Sequence, residues 1–221
     1  MSKSILIAGA SRGIGLGLVR EFAGRGWAVT GTVRGNGAGA VRDAGGTPET
    51  VDLLDPAAVA ALAARLTGPF DAILVNAGIA SDRGQGIEAT PPEQVARVFA
   101  TNAAAPIAFA RAFLPSLAPG GVLAFTSSVM GSVAGNTQGG MELYRASKAA
   151  LNSLIRSLVA TSRPNATVLA LHPGWVRTDM GGEGADISVE QSAGGLANVI
   201  AGAGGRGGCA FLDYTGATIP W

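Results

Sequence analysis

"ILIAGASRGIGLGLV", residues 5–19, decides the fold. A short apolar run, Ile5 to Ala8, meets a glycine-containing turn, and an apolar-periodic segment follows. That is the order strand, turn, helix. The turn supports two readings. Gly9-Ala10-Ser11-Arg12-Gly13 fits G-x-S-x-G, the strand-to-helix elbow that exposes a serine nucleophile. Gly9, Gly13 and Gly15 together fit G-x-x-x-G-x-G, a loop that lets a pyrophosphate approach the backbone at a helix N-terminus.

Outward from that turn, the 221-residue chain is 48% hydrophobic and only 14% charged, which predicts a well-covered globular protein rather than a disordered one. Sixteen Lys+Arg against fifteen Asp+Glu give no electrostatic case for nucleic acid or an anionic membrane. A single cysteine, Cys209, allows no internal disulfide and no thiolate metal cluster, and fits a reducing, cytoplasmic setting. No metal site is expected. The N-terminal apolar run is broken by glycines and Arg12 too early for a signal peptide. No run of apolar residues reaches the length of a membrane span.

Short apolar runs alternate with helical patterns. Strands are expected at Ser4–Ala8, Ala28–Val33, Thr47–Asp52, Ala72–Asn76, Gly121–Ser127, Ala166–His172 and Cys209–Leu212; helices at Ile14–Arg25, Pro56–Leu66, Pro92–Leu117, Glu142–Ala160 and Val189–Ala203. The strand runs barely alternate in polarity, as strands buried on both faces of a parallel sheet do. The expectation is one α/β domain over 1–221: a doubly wound parallel sheet of about seven strands with helices on both faces. Glycine-rich Gly35–Gly39 and Gly202–Gly208 are read as flexible connectors.

The hydrolase reading needs Ser, then an acid, then His. His172 is the single histidine, so that order is formally available, but no HGGG-type segment supplies an oxyanion hole. The dinucleotide reading uses more residues. The end of the second strand then bears on the cofactor. A site for NAD places an acid there, about 20 residues past the loop, on the ribose 2′-hydroxyl. This chain has Arg34 instead, and Arg12 in the loop. Guanidinium groups suit a 2′-phosphate, hence NADP(H). Asp52 and Leu53, after the third strand, are expected beside the adenine.

Tyr144 and Lys148, four residues apart in "LYRASKAALNSL", share a helix face. A phenol with its ordinary pKa near 10 is a poor proton donor-acceptor at neutral pH, and a neighbouring ammonium is expected to lower it. Ser128 follows a strand whose carboxyl end faces the ligand crevice, where its hydroxyl can hold a carbonyl oxygen. Asn102 stands inside a helix that asparagine does not favour, as a polar interior group for a proton-relay water. Asn76, Ala77 and Gly78 end the fourth strand. Pro173 and Gly174 turn the chain after the sixth, placing Val176 and Thr178 near a carboxamide.

Taken jointly, AGASRGIG (8–15), NAG (76–78), Asn102, SSVMG (127–131), YRASK (144–148) and HPGWVRT (172–178) identify the chain as resembling the short-chain dehydrogenase/reductases, whose fold is of the Rossmann type. The tail FLDYTGATIPW is similar to the compact branch of sniffer-type carbonyl reductases and C-factor-like proteins. The resemblance implies a catalytic tetrad at Asn102, Ser128, Tyr144 and Lys148. It implies cofactor contacts from Gly9, Ser11, Arg12, Gly13, Ile14, Gly15, Asp52, Asn76, Ala77, Gly78 and Lys148. It also implies a small-molecule carbonyl or alcohol as substrate, and a homo-oligomer, dimer or tetramer, pairing helices near 92–117 and 142–160. Two departures stand out. Ala8 replaces a frequent threonine that braces the turn, and the Ser128-to-Tyr144 gap is longer than usual.

The expected activity is interconversion of a carbonyl and an alcohol with NADP(H), with Tyr144 as acid and base. Two rivals are weighed: a cofactor-binding signalling protein of C-factor type with little turnover, and a nucleotide-sugar epimerase or dehydratase. The short segment after Lys148 speaks against the second. The stretch Met180–Ser192, within a substrate segment near 177–192, is expected to cover the pocket and to be mobile, with Met141, Trp175 and Met180 as candidates to line it.

Overall fold

The computed structural model describes residues 2–80, 86–162 and 164–221. Seven parallel strands form one sheet: β1 (Ser4–Ala8), β2 (Ala28–Val33), β3 (Thr47–Thr50), β4 (Phe70–Val75), β5 (Leu117–Thr126), β6 (Ala166–His172) and β7 (Cys209–Asp213). Their spatial order is β3-β2-β1-β4-β5-β6-β7. The chain therefore winds outward from β1 to β3, then returns to the other side of β1. The carboxyl ends of β1 and β4 flank the point where the winding reverses, which is where open α/β sheets bind ligands.

The strands are apolar on both faces, and successive side chains sort to opposite sides. Leu6 and Ala8 face one core with helices α3 (Pro56–Arg65), α5 (Ala105–Phe113) and α6 (Glu142–Ser162). Ile5 and Ile7 face the other, with α1 (Gly13–Gly24), α2 (Ala38–Asp43) and α7 (Val189–Ala203). The lack of polar alternation that pointed to a doubly wound sheet thus has its cause in helices on each face.

Three expectations need correction. The connector expected over Gly35–Gly39 ends at Gly37: a one-and-a-half-turn helix, α2, begins at Ala38, because Val41 drops into the core with Val19 and Val33 and anchors it. The third strand stops at Thr50, and Asp52 lies in a turn closed by its own carboxylate on the Leu54 amide, 3.0 Å. The helix expected over 92–117 is broken into α4 (Pro92–Phe99), a wide π turn at Ala100–Ala104, α5 and a short 3-10 turn at Leu114–Ser116. Pro106, four residues after Asn102, has no N–H for the Asn102 carbonyl; a wide turn is the ordinary answer to a missing helical donor. The run Pro92–Ser116 is long and apolar enough by length and composition to cross a membrane, although no uninterrupted apolar stretch is. Half of its most apolar 18-residue window is buried, with Phe109 stacked on Phe113 at 4.5 Å in the core.

Candidate functional site

A cleft of about 430 Å³ opens along the carboxyl ends of the central strands. Its floor is the first glycine turn. Gly9 has φ +83°, a conformation glycine adopts without penalty. Its amide donates to the Thr32 hydroxyl at 3.2 Å, so β2 supplies the bracing hydroxyl that Ala8 lacks. Its carbonyl accepts from Asn76 Nδ2 at 3.1 Å, and the Thr126 hydroxyl donates to Asn76 Oδ1 at 2.9 Å. Asn76 thereby ties β1, β4 and β5 together. A Cβ at Gly15 would overlap the Gly9 carbonyl and the Asn76 amide. Helix α1 starts at Gly13, and no side chain caps it from Arg12. Its first amides and positive end are presented to the cleft, an arrangement suited to phosphate.

One end of the cleft is solvent-exposed and charged. Arg12, Arg34, Asp52, Leu53 and Leu54 line it. Arg12 donates to Asp179 at 2.6 Å, with both side chains 79% exposed, so it carries an ion pair that the sequence did not reveal. Arg34 is exposed at the end of β2 and has no partner among the described residues. Asp55, not Asp52, caps α3, accepting from the Ala57 and Ala58 amides at 2.9 and 3.1 Å.

The other end is buried and bonded throughout. Tyr144 and Lys148 project from α6 into the cleft. Lys148 Nζ donates to the Thr126 carbonyl at 2.9 Å, and burial lowers its pKa to about 8. Burial pushes the Tyr144 phenol above its ordinary value, while a hydrogen bond with Ser128 pulls it partly back. This corrects the expectation that Lys148 sets a lowered phenol pKa: the ammonium sits 5.8 Å from the ring centroid, and desolvation of the phenolate dominates. Ser128 also accepts from the Met130 amide at 3.2 Å, capping the 3-10 turn Val129–Gly131.

Asn102 is fully buried. Its Oδ1 accepts from the Ile79 amide at 2.8 Å, and its Nδ2 donates to the Ile79 carbonyl at 2.9 Å and the Ser147 hydroxyl at 3.0 Å. Both side-chain N–H donors are therefore occupied, and the segment after Gly78 is held to the π turn. Pro106, four residues on, offers the Asn102 main-chain carbonyl no N–H.

Of the expected residues, Gly9, Ser11, Arg12, Gly13, Ile14, Arg34, Asp52, Leu53, Asn76, Ala77, Gly78, Tyr144, Lys148, Pro173 and Thr178 line the cleft. Gly15, Asn102, Ser128, Gly174 and Val176 do not; they stand behind it or beside it. Val176 is buried and bridged to Ile187. Two side chains bond into the stretch Met180–Ser192: Trp175 Nε1 donates to the Gly181 carbonyl at 2.9 Å, and Arg177 Nη1 to the Ala185 carbonyl at 3.0 Å. Arg177, Asp179 and Val189 line the cleft as well, within the segment near 177–192 expected to cover it; sequence reasoning missed Thr32, Thr101 and Ser127. Only the strand-end position of Thr32 and Ser127 signals them in advance.

His172 answers the hydrolase alternative. Burial holds it neutral, with its pKa lowered to about 4 against the raising influence of Asp213. Its Nδ1 is buried with no hydrogen-bond partner among the described residues, whereas the base of a serine triad is oriented by an acid at that nitrogen. Asp213 Oδ1 instead accepts from Thr215 and the Ala217 amide.

A doubly wound parallel sheet, an open helix N-terminus over a glycine turn, and Tyr144 and Lys148 at one end of the same cleft with Ser128 beside it define a nucleotide-dependent dehydrogenase architecture. The chain belongs to the short chain dehydrogenase family, whose model matches residues 3–188. It is 41% identical over 158 residues to the C-signal protein of Myxococcus xanthus, spanning 70% of this chain and 95% of that one. A carbonyl reductase from Pseudomonas aeruginosa PAO1 in complex with NADP superposes with a TM-score of 0.91 at 42% identity over the full length of both chains. The carbonyl reductase Sniffer of D. melanogaster superposes at 0.89 with 30% identity, again over both full chains.

Proposed function

We propose that this protein is an NADP(H)-dependent oxidoreductase that interconverts a ketone or aldehyde and an alcohol. The observation that carries the reading is the meeting, in one cleft, of the uncapped α1 N-terminus with the Tyr144 phenol, the Lys148 amine and the adjoining Ser128 hydroxyl. The residues present fit a dinucleotide: Gly9 and Gly15 keep the floor low, the α1 amides take the pyrophosphate, and Arg34 and Arg12 lie where a 2′-phosphate is read. At Gly78, a Cβ would come within 3.3 Å of Lys148 Nζ, so glycine keeps the space beside the amine open. The NADP complex of the similar Pseudomonas reductase supports the choice of cofactor.

A reduced nicotinamide held there would supply the hydride for the carbonyl carbon. Ser128 and Tyr144 hold the carbonyl oxygen between two hydroxyls, and Tyr144 delivers the proton as charge develops on that oxygen. Lys148 brings a positive charge that favours tyrosinate after transfer and would be the group to hold the cofactor's ribose. The Asn102 main-chain carbonyl, to which Pro106 offers no N–H, would hold a water that returns a proton toward Lys148. In this reading the protein works in the reducing cytoplasm as a homo-oligomer that pairs faces of α4–α5 and α6. The test is incubation with NADPH and a panel of aldehydes and ketones, followed by loss of nicotinamide absorbance. Turnover that Tyr144→Phe removes is the expected outcome; a panel with no turnover defeats the reading. The similarity to C-signal favours a second reading, a signalling protein that binds NADP(H) and turns over little. Tight NADPH binding with no reduction of any carbonyl is its signature.

A further inference from the structure

Helix α6 carries a third polar side chain on the face that holds Tyr144 and Lys148. Asn152 lies four residues beyond Lys148 and is buried, although asparagine is poorly suited to a helix interior. Its two ends are bonded on either side of Ser128. The Ser127 hydroxyl donates to Asn152 Oδ1 at 2.7 Å, and Asn152 Nδ2 donates to the Gly131 carbonyl at 3.1 Å. Ser127 is itself fixed to the sheet, its amide donating to the Leu171 carbonyl at 2.7 Å. The turn between these anchors is pressed flat on the helix: a Cβ at Gly131 would stand 2.9 Å from the Lys148 carbonyl.

We propose that Asn152 is a positioning residue for the reaction: its amide clamps the Ser127–Gly131 turn to α6 and so sets the Ser128 hydroxyl at a fixed height beside Tyr144. This rests on the reductase reading above. The physical case is one of registry. Ser128 belongs to the end of β5, whereas Tyr144 and Lys148 belong to α6, and the intervening Ser132–Met141 loop is long. Lys148 ties α6 to the last residue of β5 through the Thr126 carbonyl, but the turn beyond Ser127 needs its own tie, because a small misplacement of a reacting group costs orders of magnitude in rate. A buried amide with both ends occupied is the kind of contact that fixes one arrangement. Ser147 does the equivalent for Asn102, so successive residues of one helix locate separate parts of the site.

The test uses the full-length protein with Asn152→Ala, Ser127→Ala, Ser128→Ala and the Asn152→Ala/Ser128→Ala double variant. With NADPH and an accepted carbonyl, Asn152→Ala is expected to lower kcat about 10- to 100-fold with little change in NADPH affinity. The double variant is expected to be no slower than Ser128→Ala, because Asn152 acts through that hydroxyl. Losses that multiply overturn the inference. Hydrogen exchange gives a readout independent of turnover. Asn152→Ala and Ser127→Ala, which break the clamp from opposite sides, should both speed exchange at the Met130 and Gly131 amides while the middle of α6 stays protected. Unchanged exchange at those amides overturns the inference too. A wild type that reduces no carbonyl sinks the reductase reading, and the exchange result then decides the clamp alone.

Discussion

The two ends of the cleft are built on different principles. At the Arg12–Arg34 end the charges are exposed, and the ion pair there, Arg12 with Asp179, is held by two side chains that are each 79% in solvent. Such pairs contribute little, between zero and about 1 kcal/mol. At the Tyr144–Lys148 end the polar groups are buried and bonded: Lys148 to Thr126, Asn102 to Ile79 and Ser147, Asn152 to Ser127 and Gly131. The contrast teaches where the protein fixes geometry and where it merely supplies charge. Chemistry needs groups held to a fraction of an ångström, and burial achieves this at the expense of stability. Recognition of a phosphate needs only field and reach, which exposed guanidinium groups provide.

That contrast breaks most decisively at Tyr144. Tyr144→Phe should lower kcat by about a thousandfold or more while leaving NADPH affinity, measured by fluorescence titration, nearly intact; equal losses in both would mean that the buried end is a binding site rather than a reacting one. Lys148→Met is next, with about a hundredfold loss of turnover and a melting temperature at pH 7 equal to or above wild type. The sign follows from the pKa of about 8. The folded state disfavours the ammonium relative to the unfolded chain, whose lysine titrates near 10.5, so this group destabilises the fold below pH 8. That deficit is relieved as pH rises from about 8 to 10.5. Carbonyl reduction by wild type should in turn fall as pH rises through about 8 and the charge beside the phenol is lost, which a pH–rate profile reads directly.

Smaller effects belong at the exposed end. Arg34→Ala should raise the KM for NADPH about tenfold and leave that for NADH unchanged, since only the former carries the 2′-phosphate. An equal change for both cofactors would remove Arg34 from phosphate recognition. Asp179→Asn should shift the Kd for NADPH by no more than about threefold, measured by the same titration; a larger shift would show that the exposed pair is a structural latch after all.

Much of this was legible beforehand. The glycine spacing, Tyr144 with Lys148 at a helical interval, and the apolar runs without alternation all report local physics, and they place the strands, the first glycine turn and the Tyr144–Lys148 pair. Arg12 was legible as a cation but not as the partner of Asp179, 167 residues away. The phenol was expected below its ordinary pKa and lies above it, because an i, i+4 spacing reports neighbourhood and says nothing of burial. Pro106 carried a readable signal for the break at Asn102, since a missing N–H is a property of the residue itself. The helix at Ala38–Asp43 carried none, because it depends on Val41 meeting a core assembled from other segments.

By itself the sequence determined which residues could do chemistry and which elements they stand on, since period, turn residues and propensity act over a few positions along the chain. Only the tertiary structure decided what surrounds those residues: the hydroxyl that Thr32 lends to Gly9, the amide that Asn152 spreads across the Ser128 turn, and the desolvation of Tyr144 and Lys148. Each of these arises between segments brought together by the sheet, and the energy of a buried polar group is set by those neighbours rather than by its own place in the chain.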